Sequence, residues 1–93
     1  MPSYNAPVRE LRFVLNELLA ITECTDIPGY GDVSDDLVDA VLDGAAKVAE
    51  EVWAPLNQSG DEEGCRFENG VVRAPSGFKE AFDAWYEGGW NGI

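Results

Sequence analysis

The sequence predicts a mainly α-helical fold of three helices with one short β-hairpin. Three observations predict it. Apolar residues recur at three- and four-residue spacing over three segments, the period of helices with one buried face. Asn69-Gly70 stands between two short strand-like runs, the strongest short-range signal for a two-residue hairpin turn. Clusters of Gly and Pro separate these segments and give each a place to stop.

Residues 1–6 read as an extended arm. Pro7 suits a first helical turn, where its missing N–H is no loss. Val8, Leu11, Val14, Leu15, Leu18 and Leu19 then form one face of a first helix reaching about residue 24. Phe13 falls on the opposite side, between Glu10 and Glu17. It is either a lone exposed aromatic or a contact for another surface.

Thr25 to Val33 reads as a loop, with Pro28 blocking a helix and Gly29 and Gly31 flanking Tyr30. Ser34 is a good N-cap, and Asp35 and Asp36 favour the positive end of a helix dipole. Leu37, Val41, Ala45, Val48, Val52 and Leu56 lie on one stripe, widened by Val38, Leu42, Ala49 and Trp53. Asp39, Asp43 and Glu50 are expected to face away. This predicts a second helix over about 35–53, ending or kinking near Pro55. Gly44 inside it costs about 1 kcal/mol relative to Ala, so it asks for a reason. With Ala45, Ala46 and Ala49 it makes a smooth patch where another helix could approach.

Asn57 to Gly64 reads as a polar, acidic loop. Arg66–Glu68 and Val71–Arg73 flank the Asn-Gly turn and are short enough to need support from a helix. Ser76 is expected to cap a third helix with Phe78, Ala81, Phe82 and Trp85 on its apolar face and Gly88 at its exit. Aromatics cluster late in the chain. Tyr86 and Trp90 are candidate interface residues beside Phe13 and Gly44.

Ninety-three residues make one domain at most, with a marginal core. The formal net charge is −12, and eleven acidic residues fall between Asp26 and Glu63 with Lys47 as the one base there. Such a surface repels nucleic acid and anionic membranes. There is no histidine, and Cys24 and Cys65 are the only cysteines. That removes histidine bases, Ser-His and Cys-His nucleophile pairs and Cys/His zinc sites. Two distant thiols without a secretory signal read as reduced, in a cytoplasmic protein, over a Cys24–Cys65 bridge.

The acidic loop matches a calcium loop poorly, because Asn57 stands where Asp is needed and Glu62 where Gly is needed. The pairs Asp35/Asp36, Glu50/Glu51 and Glu62/Glu63 are neighbours in sequence, which do not face each other on a helix, so they read as solvated charge. No glycine-rich phosphate loop occurs. The residues alone therefore point to no catalytic, cofactor-binding or metal-binding position.

Several motifs recur together in one known family. The leader Pro2-x-Tyr4-x-Ala6-Pro7-x-Arg9-Glu10 is followed by Phe13-Val14-Leu15 and Glu17-Leu18-Leu19. Ala45-Ala46-Lys47 leads through Glu50-Glu51 to Ala54-Pro55-Leu56-Asn57, Gly60-Asp61 and Gly64. Gly70-x-Val72, Pro75-x-Gly77-Phe78-Lys79-Glu80-Ala81 and Glu87-Gly88-Gly89-Trp90 complete the series. In this order and spacing the chain resembles the N-terminal region of acyl-CoA dehydrogenases, more narrowly a long bacterial subgroup with an extra N-terminal leader.

The resemblance implies residues 1–33 as leader arm, first helix and loop, and residues 34–93 as part of the family's N-terminal helical domain. It implies an FAD-dependent family that oxidises acyl-CoA to trans-2-enoyl-CoA, with the catalytic Glu and flavin contacts outside the matched positions. No catalytic or flavin residue carries over. The isolated chain is expected to hold no flavin and to have no activity. Two readings follow. One is a scaffold segment of such an enzyme, truncated here, with acyl-CoA relevant only to a full-length protein and the downstream domains as its partner. The other is a free-standing acidic helical module that binds a partner or itself.

Overall fold

The computed structural model describes residues 3–92. Met1, Pro2 and Ile93 lie outside the described residues, and with them the start of the arm and of the leader motif and the apolar end of the chain. Contacts group the chain into two units, Asn5–Lys47 and the residues from Val48 onward together with Tyr4.

In the first unit the arm ends in a tight turn. Pro7, at φ −79° and ψ 62°, is its centre, and the Val8 N–H donates to the Ala6 carbonyl at 2.8 Å. This is an inverse γ-turn, so proline sits just before the helix rather than within it. Helix α1 spans Val8–Arg12 and widens into π-helical turns over Phe13–Leu18. Helical bonding stops there, because Ala20 takes a left-handed conformation (φ 48°) and only a single 3₁₀ turn, Ile21–Glu23, follows. The expected helix to residue 24 is thus shorter.

Its expected apolar face is also poorly covered. Val8 and Leu15 are half-buried, but Leu11, Val14 and Leu19 are exposed and Leu18 is 69% exposed. The π-helical turns hold more residues per turn, so side chains beyond Phe13 leave the 3.6-residue stripe.

Helix α2 spans Asp35–Lys47. Ser34 caps it as expected: its Oγ accepts the Leu37 N–H at 3.2 Å. Val38 is buried. Asp39 and Asp43, expected to face away, instead meet α1. The Arg12 guanidinium donates Nε to Asp39 Oδ1 at 2.6 Å and Nη2 to Asp43 Oδ1 at 3.0 Å. One guanidinium thus takes two carboxylates one helical turn apart.

The second unit begins with π-helical turns over Val48–Trp53, which lead into helix α3, Ala54–Glu63. Residues 57–63, expected in a loop, are helical. Pro55 lies in the first turn of α3, where it needs no donor, and the wider backbone upstream relieves its clash with the preceding turn. Gln58 supports the helix by donating Nε2 to Glu62 Oε1 at 3.0 Å. Gly64 (φ 68°) ends it.

Strands β1, Arg66–Glu68, and β2, Val71–Arg73, pair antiparallel in the register Arg66↔Arg73, Phe67↔Val72, Glu68↔Val71. Asn69 (φ 51°) and Gly70 (φ 78°) make the expected turn. The expected helical support is missing: all six strand residues are exposed, Phe67 by 75% and Val72 by 67%.

This fixes what a turn mutation does. Gly70→Val puts a β-branched residue at positive φ, at a cost of about 1–2 kcal/mol. Because the hairpin covers no core, the loss is local. Amide exchange at Glu68 and Val71 should accelerate while the helical thermal melt stays in place. A melt displaced by several degrees would show that the strands support the helices.

Helix α4 spans Phe78–Glu87 and starts from Gly77 (φ 88°). Ser76 does not cap it. Its N–H and Oγ both donate to Glu63 Oε2, at 2.8 and 3.2 Å, so a carboxylate from α3 has taken the serine instead. The left-handed residue at the exit is Gly89 (φ 80°), one position beyond the expected Gly88. A 3₁₀ turn, Trp90–Gly92, closes the described chain.

Among the described residues of this unit, Ala81, Pro75 and Gly60 are buried. The Phe78 ring lies over Gly60, so that a Cβ built there would come within 2.6 Å of Cζ. Trp53 meets the same ring edge to face, with centroids 6.4 Å apart at 82°, a contact worth about 0.5–1.5 kcal/mol. The fold as observed is the expected class, mainly helical with one two-stranded antiparallel hairpin.

Candidate functional site

The four candidate interface residues are divided between the two units. Phe13 and Gly44 belong to the first unit, Tyr86 and Trp90 to the second. Phe13 is 60% exposed where α1 widens. Gly44 is half-buried on α2. Tyr86 is 58% exposed and stacks on Phe82, with centroids 6.2 Å apart at 23°. Phe82, expected in the core, is itself exposed and also contacts Trp85 at 5.7 Å. These residues stand on α4 as a small aromatic cluster. Trp90 is half-buried and folded back on Gly88, its indole 2.9 Å from where a Cβ would stand there.

A cleft of about 620 Å³ opens within the second unit. Tyr4, Ala49, Trp53 and Ala54 give it an apolar wall, and Asn57, Gln58 and Asp61 a polar one. Trp53, Asn57 and Asp61 recur every fourth residue, so one helical face presents all three. The sequence reading missed this face because it placed Asn57 and Asp61 in a loop. The signal that finds it is Pro55 read as a first-turn residue.

The chemistry of the cleft is limited. Among the described residues that line it there is one carboxylate and no cation, thiol or histidine. A general acid–base pair is not available from these residues, and neither is a phosphate cradle. A flavin dinucleotide or a CoA ester carries phosphates, which Asp61 would repel, so the cleft fits neither. Among the described residues no group of three His, Cys, Asp or Glu is arranged to hold a metal ion.

The hydrogen bond that Arg12 donates to Asp39 raises the Arg12 pKa, with the charges of Asp39 and Asp43 adding to it. The hydrogen bond that Lys79 donates to Asp83, at 2.9 Å, raises Lys79. Both cations already carry full charge at neutral pH, so neither provides a switch there. Cys24 and Cys65 are free thiols. No helix among the described residues is long and apolar enough to cross a membrane.

No protein-family model matches the chain. It is 34% identical over 91 residues to 3-methylmercaptopropionyl-CoA dehydrogenase of Ruegeria pomeroyi, a match covering 98% of this chain and 16% of that protein. It is 32% identical over 91 residues to butyryl-CoA dehydrogenase of Syntrophomonas wolfei, covering 94% of this chain and 15% of that protein. The chain spans about a sixth of the length of these curated relatives.

Proposed function

We propose that this chain, a distant homologue over its whole length of the N-terminal part of acyl-CoA dehydrogenases, is the scaffold segment of an enzyme of that kind. Its role is to pack against the domains that hold flavin and substrate, not to take part in the reaction. The observation that carries this reading is the pairing of end-to-end similarity with a chemically empty cleft. The chain matches these proteins across 91 positions, yet the described lining of its cleft offers a single carboxylate and no cation or phosphate cradle. In this reading FAD and the acyl-CoA thioester are bound by sequence outside these residues, and the exposed faces at Phe13 and Leu18 and at Phe82 and Tyr86 meet that sequence. The flavin would accept the hydride from the thioester; these residues would keep the domain that holds it in place.

A segment exchange tests this. The matched stretch of the Ruegeria relative is replaced by this chain, and in a second variant it is deleted. The exchanged protein should retain bound flavin through gel filtration and oxidise its acyl-CoA, whereas the deletion should lose both. An exchanged protein as flavin-free and inactive as the deletion, beside a control whose own segment has been restored, would overturn the scaffold reading. The free-standing module would then be the better account. The 93-residue chain alone should elute colourless.

A further inference from the structure

The hairpin carries a self-complementary edge, and we infer that two copies of this chain pair through strand β1 to form a four-stranded antiparallel sheet. The inference is independent of the scaffold reading, because it rests on the hairpin alone.

The register decides which backbone groups face outward. A two-residue turn makes Glu68 and Val71 a hydrogen-bonded pair, and the antiparallel alternation makes Phe67 and Val72 a non-hydrogen-bonded one. The N–H and C=O of Phe67 therefore point away from β2, along the outer edge of β1. Among the described residues no backbone hydrogen bond from outside the hairpin reaches Phe67. An open edge of this sort is a template for another strand.

The sequence of the edge says which strand fits. β1 reads Arg66-Phe67-Glu68. Laid antiparallel on a second copy about a two-fold axis at Phe67, each Arg66 stands opposite a Glu68 of the other copy. Phe67 stands opposite Phe67, and the two exchange a pair of backbone hydrogen bonds. Opposite charges directly across a sheet attract, and aromatic pairs at this spacing stabilise. Arg66 now holds Glu68 of its own strand at 3.3 Å and Glu63 at 3.4 Å, both exposed, so it can turn to the new partner at little cost. β2 offers no such match, since Val71 would face Arg73 in a pairing centred on Val72.

The pairing also extends the apolar side. Phe67 and Val72 share one face of the hairpin and are its most exposed apolar residues. In the pair they join their counterparts as a continuous row, Val72–Phe67–Phe67–Val72. A second copy is thus selected by its charge order as well as by an apolar surface. The chain's net charge opposes it at long range, so the association is weak and strengthens as salt screens that repulsion. Three-residue strands also bury less than the roughly 800 Å² per partner of a standard interface.

The test is sedimentation equilibrium of the chain at moderate salt, from micromolar to millimolar concentration, together with amide exchange at Phe67. The native chain should approach the dimer mass at the top of this range, and exchange of the Phe67 amide should slow in step. R66E and E68R, each placing like charges across the axis, should shift association to at least tenfold higher concentration. The double swap R66E/E68R restores the opposite-charge pairing and should recover association. A monomer throughout would overturn the inference. So would a dimer in which Phe67 exchange is independent of concentration, or one whose single and double swaps behave alike.

Discussion

Gly60→Val should destabilise the unit built on α3 and α4 by about 1–3 kcal/mol, the usual cost of forcing extra methyl groups into a filled contact. The geometry leaves little choice. A Cβ at position 60 would stand 2.6 Å from Cζ and 2.7 Å from Cε1 of Phe78. The ring can escape only by swinging out, which forfeits its edge-to-face contact with Trp53 and exposes the buried turn of α3. Valine orders the helix better than glycine, which offsets only a few tenths of a kcal/mol. Phe78→Leu in the same background should recover part of the loss, because the shorter side chain vacates the ring's place. Urea unfolding of the two single variants and the double variant gives the coupling between positions 60 and 78. It should amount to about 0.5–3 kcal/mol for residues in direct contact. A valine variant with an unchanged midpoint would mean that the ring is not seated on the helix.

Removing the carboxylate of Glu63 should have the next largest effect, about 1 kcal/mol. One oxygen, Oε2, accepts the Ser76 N–H, the Ser76 hydroxyl and Arg66 Nη1 at 2.8, 3.2 and 3.4 Å. It ties the end of α3 to the start of β1 and to the turn before α4. Hydrogen bonds to a charged group are worth about 1.5–3 kcal/mol when shielded, and solvent at this exposed site reduces that. Glu63→Ala should lower the melting temperature and speed exchange of the Ser76 amide. Glu63→Gln keeps an acceptor for serine and should restore that amide's protection while losing the ion pair with Arg66. Unaltered exchange in the alanine variant would show that Ser76 is held by something else.

These two sites also mark where sequence reasoning stops. Features set by neighbours in the chain were legible. Ser34 caps α2 because the donor it needs is three residues away. Asn69-Gly70 turns the hairpin because both residues accept the required backbone angles. Features set by distant partners were not legible. Ser76 has the same chemistry as Ser34, but its hydroxyl goes to Glu63 and α4 has no side-chain cap. Gly60 looks like a loop glycine until Phe78 is placed on it. Asp39 and Asp43 look like solvated charge until Arg12, 27 and 31 residues away, is brought beside them. Pro55 was ambiguous for a different reason. It ends a helix that is already running and starts one that is not, and the widened turns before it decide which.

The widened turns over Phe13–Leu18 bear on how this chain tolerates changes of length. A π-helical turn behaves as an α-helix that has taken in one surplus residue. Deleting one residue there lets the backbone close to the narrower spiral, and Arg12, which lies before the deletion, keeps its grip on Asp39 and Asp43. The same deletion between Asp39 and Asp43 has no slack to absorb it. It rotates one carboxylate by about 100° around α2 and leaves Arg12 with a single partner. The segment with the loosest backbone is thus the one in which the length of the chain is least constrained.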